Sequence, residues 1–238
     1  VSAPTVTSNT FEFKIDRDIA LNGSPLFPSD TVRFLFRTRA SNGDQAPDHF
    51  DDTLFELSED AYAPEPINLD KFHPEDIRVL SYNVLTDNLF NTEVSGNFER
   101  IFQTIQPDII GLQEVYEHSG EEAAQLMDYF LPGGEGESWY HGDVGNDNLI
   151  VSRYPVVRQQ AIMGNAAYLL DAGATELLVV VAHPPCCNND DGRQEEFDAI
   201  MSFIRDSKSG QAFDIAVDTP ILIIGDMNLV GDRRQVET

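Results

Sequence analysis

The stretch Ile221–Leu229, Ile-Leu-Ile-Ile-Gly-Asp-Met-Asn-Leu, constrains this chain more than any other. Consecutive aliphatic side chains without alternation suit a strand buried on both faces. Gly225 lets the backbone pass close to a neighbour. If the strand runs on past it, Asp226 and Asn228 point to one side, because strand side chains alternate. A carboxylate and a carboxamide then stand together at the end of a buried strand, placed to orient a water or bind a phosphate. A strand that merely ends in a polar turn can have the same sequence, so the motif needs support from elsewhere.

Other segments supply it. Ile77–Tyr82 reads as a strand delivering Asn83. Asp108–Leu112 reads as a buried strand running into Gln113-Glu114, and Glu176–Ala182 is the most apolar strand, stopping at His183-Pro184-Pro185. Apolar runs therefore stop, one after another, at residues able to bind metal or phosphate: Asn83, Glu114, His183 and the pair Asp226/Asn228. Phe98–Ile105, Glu121–Leu131 and Arg193–Ile204 carry apolar residues at helical spacing. Asn148–Arg153 is a further strand, with Val156–Met163 as its expected hairpin partner. Strands and helices mix without regular alternation, and no glycine-rich phosphate loop occurs. That pattern favours a layered α/β sandwich over a doubly wound nucleotide fold.

The residue types suggest a chemistry. Phosphate esters hydrolyse extremely slowly unaided, and a divalent ion helps by neutralising phosphoryl and leaving oxygens. Magnesium takes oxygen donors, few of them from protein. Glu114 is the natural carboxylate ligand, and the Asn83 amide oxygen the natural neutral one. Asp226 is suited to accept a proton from an attacking water, and Asn228 to fix that water or a phosphate oxygen. A protonated His183 is suited to donate to a nonbridging oxygen. Each residue also has an ordinary reading: Glu114 as a helix cap, Asn83 as a chain-turning residue, His183 as a loop histidine.

Leu80-Ser81-Tyr82-Asn83-Val84, Leu112-Gln113-Glu114-Val115, Leu149–Pro155, Val181-Ala182-His183 and Gly225-Asp226-Met227-Asn228 resemble successive motifs of the endonuclease/exonuclease/phosphatase superfamily. This group includes pancreatic deoxyribonuclease, abasic-site endonucleases, bacterial sphingomyelinases and inositol polyphosphate phosphatases. The resemblance covers about residues 76–230. It implies a two-sheet α/β sandwich of the deoxyribonuclease-like type, with Glu114 as principal metal ligand and Asn83 near it. It also implies that Asp226 and Asn228 orient the nucleophile and bind phosphate, and that His183 contacts phosphate. The implied cofactor is Mg2+, or Mn2+ or Ca2+. The implied function is a metal-dependent hydrolase of phosphoester bonds, foremost a phosphodiesterase acting on nucleic acid, a phospholipid head group or a small phosphate ester. A phosphomonoesterase, or a noncatalytic binding protein on the same fold, is the alternative. The family's Ser-Asp-His-type motif does not follow Asn228, so the expectation is a C-terminally incomplete domain that is poorly active as it stands.

Residues 1–70 read differently from 71–238. Thr10–Ile15, Thr31–Arg39 and Asp52–Leu57 alternate with period two between turn residues, giving a β-rich segment or accessory domain. Ala61–Pro66 reads as an extended linker. Asp16, Asp18, Asp48, Asp51 and Asp52 match no calcium loop and read as solvated surface. The net charge of −26 is spread along the chain, which disfavours nonspecific binding of polyanions. No apolar stretch reaches the roughly 20 residues of a membrane span. Val1–Thr5 is not a signal peptide, though it could be the start of a chain from which one has been cleaved. The acidic surface, the β-rich start and the His183-Pro184-Pro185 setting, which resembles the deoxyribonuclease-like and secreted branches of that superfamily, point to a secreted or periplasmic location. Cys186 and Cys187 are the only cysteines. They form no disulfide framework, and adjacent ligands fit tetrahedral zinc poorly. A strained bridge, two free thiols and partners outside the chain all stay open.

Overall fold

The computed structural model describes residues 2–4, 11–13, 15–37, 45–46, 54–57 and 68–229. The chain divides into two compact units, Val1–Ile67 and Asn68–Thr238.

The first unit carries short strands: β1 (Ser2–Pro4), β2 (Phe11–Phe13), β3 (Ala20–Leu21), β4 (Ser24–Pro25), β5 (Thr31–Arg33), β6 (Phe36–Arg37), β7 (Gln45–Ala46) and β8 (Leu54–Glu56). They pair antiparallel as β1-β2, β3-β4, β5-β8 and β6-β7. The alternating run Thr31–Arg39 is thus not one strand. It breaks at Phe34-Leu35, and its two parts take different partners. Among the described side chains of this unit, Val32 is the buried apolar one. Asp16 accepts a backbone hydrogen bond from Asp18, and both are exposed. Asp48, Asp51, Asp52 and the Ala61–Pro66 linker lie outside the described residues.

The second unit runs β9 (Val79–Asn83), α1 (Ser95–Ile105), β10 (Ile109–Gln113), α2 (Gly120–Phe130), β11 (Tyr140–Asp143), β12 (Leu149–Ser152), β13 (Val156–Ile162), β14 (Asn165–Asp171), β15 (Glu176–Ala182), α3 (Asp190–Lys208) and β16 (Ile221–Gly225). Its strands form two four-stranded sheets, ordered β11-β12-β10-β9 and β13-β14-β15-β16. Helices α2 and α3 start where the sequence caps them, whereas α1 follows Val94 without a side-chain cap. Ser119 and Glu122 form a reciprocal capping box on α2, and Asn189 accepts from Gly192 N–H to cap α3.

The apolar side chains sort into three layers. Phe102 of α1 and Met127 of α2 pack with Ile110, Leu112 and Val151 on the outer face of the first sheet. Ile200 and Phe203 of α3 pack with Leu169, Leu178 and Val180 on the outer face of the second. Ile109, Ile150, Tyr168, Leu170, Val179 and Val181 fill the space between the sheets. The result is a two-sheet α/β sandwich with helices outside.

Three expectations need correction. Val156–Ile162 is not the hairpin partner of Leu149–Ser152. Both edges of β12 are already taken, by β10 and β11, so the chain crosses at Tyr154-Pro155 and β13 pairs instead with β14 in the other sheet. The strand at Ile221 stops at Gly225 rather than continuing to Leu229. Finally, β10 and β15 are buried throughout or nearly so, but β9 and β16 are half-exposed, because each lies at the end of its sheet order among the described strands.

Candidate active site

The topology explains why polar residues meet. In the first sheet β9 and β10 are parallel neighbours, with Asn83 beside Gln113. In the second, β15 and β16 are parallel neighbours, with Ala182 beside Gly225. Parallel strands end at the same edge, so Asn83 and Glu114 emerge together from one sheet, and His183 and Asp226 from the other. The sheets stack with β9 and β10 facing β16, and β10 facing β15. All four C-terminal ends therefore converge, the position where open α/β sheets commonly bind ligands.

The Asn83 side chain joins the two sheets. Its amide nitrogen donates to Glu114 Oε1 at 2.8 Å and to Asp226 Oδ2 at 3.1 Å. Its oxygen accepts from Leu85 N–H at 2.9 Å. Asn83 thus meets the carboxylates through its donor, and in this arrangement the oxygen lone pairs facing a cation belong to Glu114 and Asp226. Glu114 Oε2 also accepts from Thr86 N–H at 3.0 Å and Thr86 Oγ1 at 3.4 Å. The loop supplying these donors is unusual: Leu85, Thr86 and Asp87 are successive left-handed residues, with φ of 52°, 53° and 58°. Glu114 and Asn228 are left-handed too, at 63° and 49°. Such conformations cost about 1–2 kcal/mol each for residues with a Cβ, and β-branched Thr86 tolerates them least. Strain of this kind gathers at functional sites. Asp87 braces the loop by accepting from the N–H of Tyr116 at 3.0 Å and of Glu117 at 3.3 Å.

Asp226 and Asn228 are brought together by a turn and not by strand alternation. Asp226 Oδ1 accepts from Asn228 N–H at 3.2 Å. The Asn228 amide donates to the Pro184 carbonyl at 2.9 Å, in the loop that begins at His183.

His183 has a partner that the sequence pattern did not reveal. Its Nδ1 lies 2.6 Å from Asp147 Oδ2, which leaves Nε2 as the other proton site. Its N–H donates to Asn165 Oδ1 at 2.8 Å, and Asn165 donates to Glu196 at 2.8 Å. The Asp147 hydrogen bond raises the His183 pKa. Burial opposes it, and the charges of Asp147, Asp226 and Glu114 add to the rise. Tyr116 is pushed above the usual phenol range, first by burial and then by the charges of Asp147 and Glu114. In sequence, Asp147 sits in Gly145-Asn146-Asp147-Asn148, which reads as a turn. Only the pairing of β12 against β10 carries it to the site, where its carbonyl accepts from Val115 N–H at 3.1 Å.

The donor set fits a hard divalent cation. Among the described residues no group of three or more His, Cys, Asp or Glu side chains is arranged to enclose a metal. Magnesium needs less: one or two carboxylates, with waters and substrate oxygens completing the shell. Glu114 and Asp226, held on one amide, meet that requirement. With Asp147 nearby and no lysine or arginine hydrogen-bonded to these side chains among the described residues, the site is strongly anionic.

A sequence model of the endonuclease/exonuclease/phosphatase family matches residues 80–237. Among solved structures, a beta toxin 275-280 structure from Staphylococcus aureus aligns over 68% of this chain and 69% of its own, at 14% identity and TM-score 0.50. TDP2 from Caenorhabditis elegans aligns over 65% of this chain and 48% of its own, at 16% identity and TM-score 0.50. Sphingomyelinase C from Streptomyces griseocarneus aligns over 68% of this chain and 67% of its own, at 18% identity and TM-score 0.48. At such identities the agreement with beta toxin and TDP2 concerns the fold. No curated protein sequence matches significantly.

Proposed function

The chain belongs to the endonuclease/exonuclease/phosphatase family, and from that membership we propose that it is a divalent-metal-dependent phosphodiesterase whose site lies at Asn83, Glu114, Asp147, His183, Asp226 and Asn228. The observation that carries this reading is the Asn83 amide, which holds the Glu114 and Asp226 carboxylates together across two sheets. Two like charges held this close are stabilised by a cation and repel a bare phosphate. Glu114, with Asp226 beside it and Asn83 fixing both, would hold Mg2+, Mn2+ or Ca2+. When bound, the ion supplies charge neutralisation at phosphoryl oxygens.

The chain's own groups divide the remaining work. Asp226 accepts a proton from the attacking water, and its position is set by Asn83 and by Asn228 N–H. The His183 imidazolium, kept charged by Asp147, donates from Nε2 to a nonbridging oxygen. The Asn228 amide ties the His183 loop to the Asp226 turn, so both halves keep their spacing. A net charge of −26 favours a small or head-group phosphodiester over a long polyanion. The acidic surface suits an exported protein, and among the described residues no helix is long and apolar enough to cross a membrane. Residues 71–238 carry this chemistry, with 1–70 as a β-rich accessory segment.

The test is hydrolysis of bis-p-nitrophenyl phosphate by the longest polypeptide carrying this sequence. Turnover is expected with Mg2+, Mn2+ or Ca2+ and is lost in EDTA. Turnover that survives EDTA, or none in any metal, removes the proposal.

A second expectation concerns pH. The folded pKa of His183 lies above its ordinary value of about 6.5, so the stability contributed by its pair with Asp147 is fully present below that value. It disappears as pH rises through the raised one. An NMR titration of the imidazole should show a raised midpoint in the native protein and a fall in Asp147→Asn, which removes the charge and keeps the shape. A native midpoint at or below the ordinary value would contradict the assignment.

A further inference from the structure

Cys186 and Cys187 are both exposed and free, and the chemistry above does not use them. Neighbouring side chains on an extended backbone diverge. Here the backbone is not extended, because Cys187 is left-handed with φ 67°. The adjacent Cys187 side chain raises the Cys186 pKa above the usual thiol range.

The pair lies in a connection pinned at both ends. His183 is held by Asn165 and Asp147 at 2.8 Å and 2.6 Å. Asn189 caps α3 through Gly192 N–H at 3.2 Å. Between them the Pro184 carbonyl accepts from Asn228 at 2.9 Å, and the Pro185 carbonyl from buried Arg193 at 2.8 Å. Both prolines have fixed φ. A change in backbone angles at Cys186-Cys187 therefore has little slack to spread into. It falls on Asn188 and on the two proline carbonyls, one of which holds Asn228.

We propose that Cys186 and Cys187 form a redox modification site: a peroxide converts the vicinal dithiol to a disulfide within the loop, and closure loosens the contacts that tie this loop to Asn228 and α3. One thiolate attacks a peroxide oxygen, breaking the O–O bond, and becomes a sulfenic acid as the other oxygen leaves as water after taking up protons. The neighbouring thiol then attacks the sulfenic sulfur and expels a second water. Two thiols and one hydrogen peroxide thus give one disulfide and two waters, with two electrons passing from sulfur to oxygen. The second thiol is on the adjacent residue, so ring closure is intramolecular and outruns capture by another molecule. Consecutive Cα atoms lie about 3.8 Å apart, closer than ordinary disulfides span, so the bridge is strained and readily reduced, as labile regulatory disulfides are.

The experiment treats the full chain with a small excess of hydrogen peroxide, then alkylates it with iodoacetamide and measures intact and peptide masses. The untreated protein is expected to take two carbamidomethyl groups. The oxidised protein takes none, forms no disulfide-linked dimer and is lighter by two hydrogens, and dithiothreitol reverses both changes. Cys186→Ser and Cys187→Ser each fail to close. Hydrogen exchange at the amides of Cys186–Asn189 rises on closure in the native protein and not in either serine variant. Thiols still alkylated in full, added oxygens as the product, or disulfide-linked dimers would overturn the site. Unchanged exchange in fully closed protein would overturn its coupling to the loop. None of these readouts involves turnover, so they stand apart from the phosphodiesterase test.

Discussion

Glu114→Gln abolishes Mg2+ binding in calorimetry, weakening it by about two orders of magnitude or more, and phosphodiester turnover falls with it. Losing an outer hydrogen-bonding partner already costs a metal site about 10- to 100-fold, and here the charged ligand itself is neutralised. The variant keeps the side chain's shape, so it separates two roles that the structure gives Glu114. One is to face Asp226 across the Asn83 amide. The other is to hold the left-handed Leu85-Thr86-Asp87 turn by accepting from Thr86. If the second role were the whole of it, Gln would leave a donor unpaired at a cost of about 1–3 kcal/mol, and Mg2+ affinity would not change. In the proposed site the stability change is smaller, because removing one of two facing carboxylates relieves repulsion that offsets part of the lost hydrogen bonding. Unchanged Mg2+ affinity with a clear drop in thermal midpoint would make Glu114 a brace for the loop.

The site was legible to the extent that strand ends are legible. Apolar runs announced β10, β15 and β16, and each stops beside a residue whose chemistry suits metal or phosphate. Parallel pairing was not visible, yet parallel pairing puts Asn83 next to Glu114 and His183 next to Asp226. Asp147 was invisible for the same reason: it lies in the turn two residues before β12, and only the antiparallel match of β12 to β10 carries its carboxylate to His183. The orientation of Asn83 could not be read either, since an amide offers both a donor and an acceptor, and the Leu85 N–H decides which one the carboxylates receive. The strand β14, Asn-Ala-Ala-Tyr-Leu-Leu-Asp, escaped notice because alanine has little strand preference. Its burial comes from lying between β13 and β15. Pairing also corrected the hairpin expected at Val156, since β12 had no free edge to offer.

Gly225→Ala is expected to destabilise the second unit by about 3 kcal/mol, at the upper end for overpacking combined with a strained backbone position. The residue has φ 143°, a region side chains rarely adopt, and a Cβ placed there would overlap the carbonyl oxygen of Ala182. The obstacle is backbone of the paired strand, so no rotamer change relieves it, and the ends of β15 and β16 must part. His183 and Asp226 follow those ends directly, so the variant should also separate the two halves of the site. Denaturant unfolding measures the first effect, and the His183 titration midpoint reports the second, since Asp226 contributes to its rise. Gly96→Ala is the control. It lies in α1 with nothing within 4 Å of its would-be Cβ, and alanine there should be neutral or stabilising by up to about 1 kcal/mol. Equal stability of Gly225→Ala and the native protein would mean that the strands do not approach this closely. The glycine of Gly-Asp-Met-Asn would then be a local turn residue, without the role of letting two parallel strands bring a carboxylate and an imidazole to one edge.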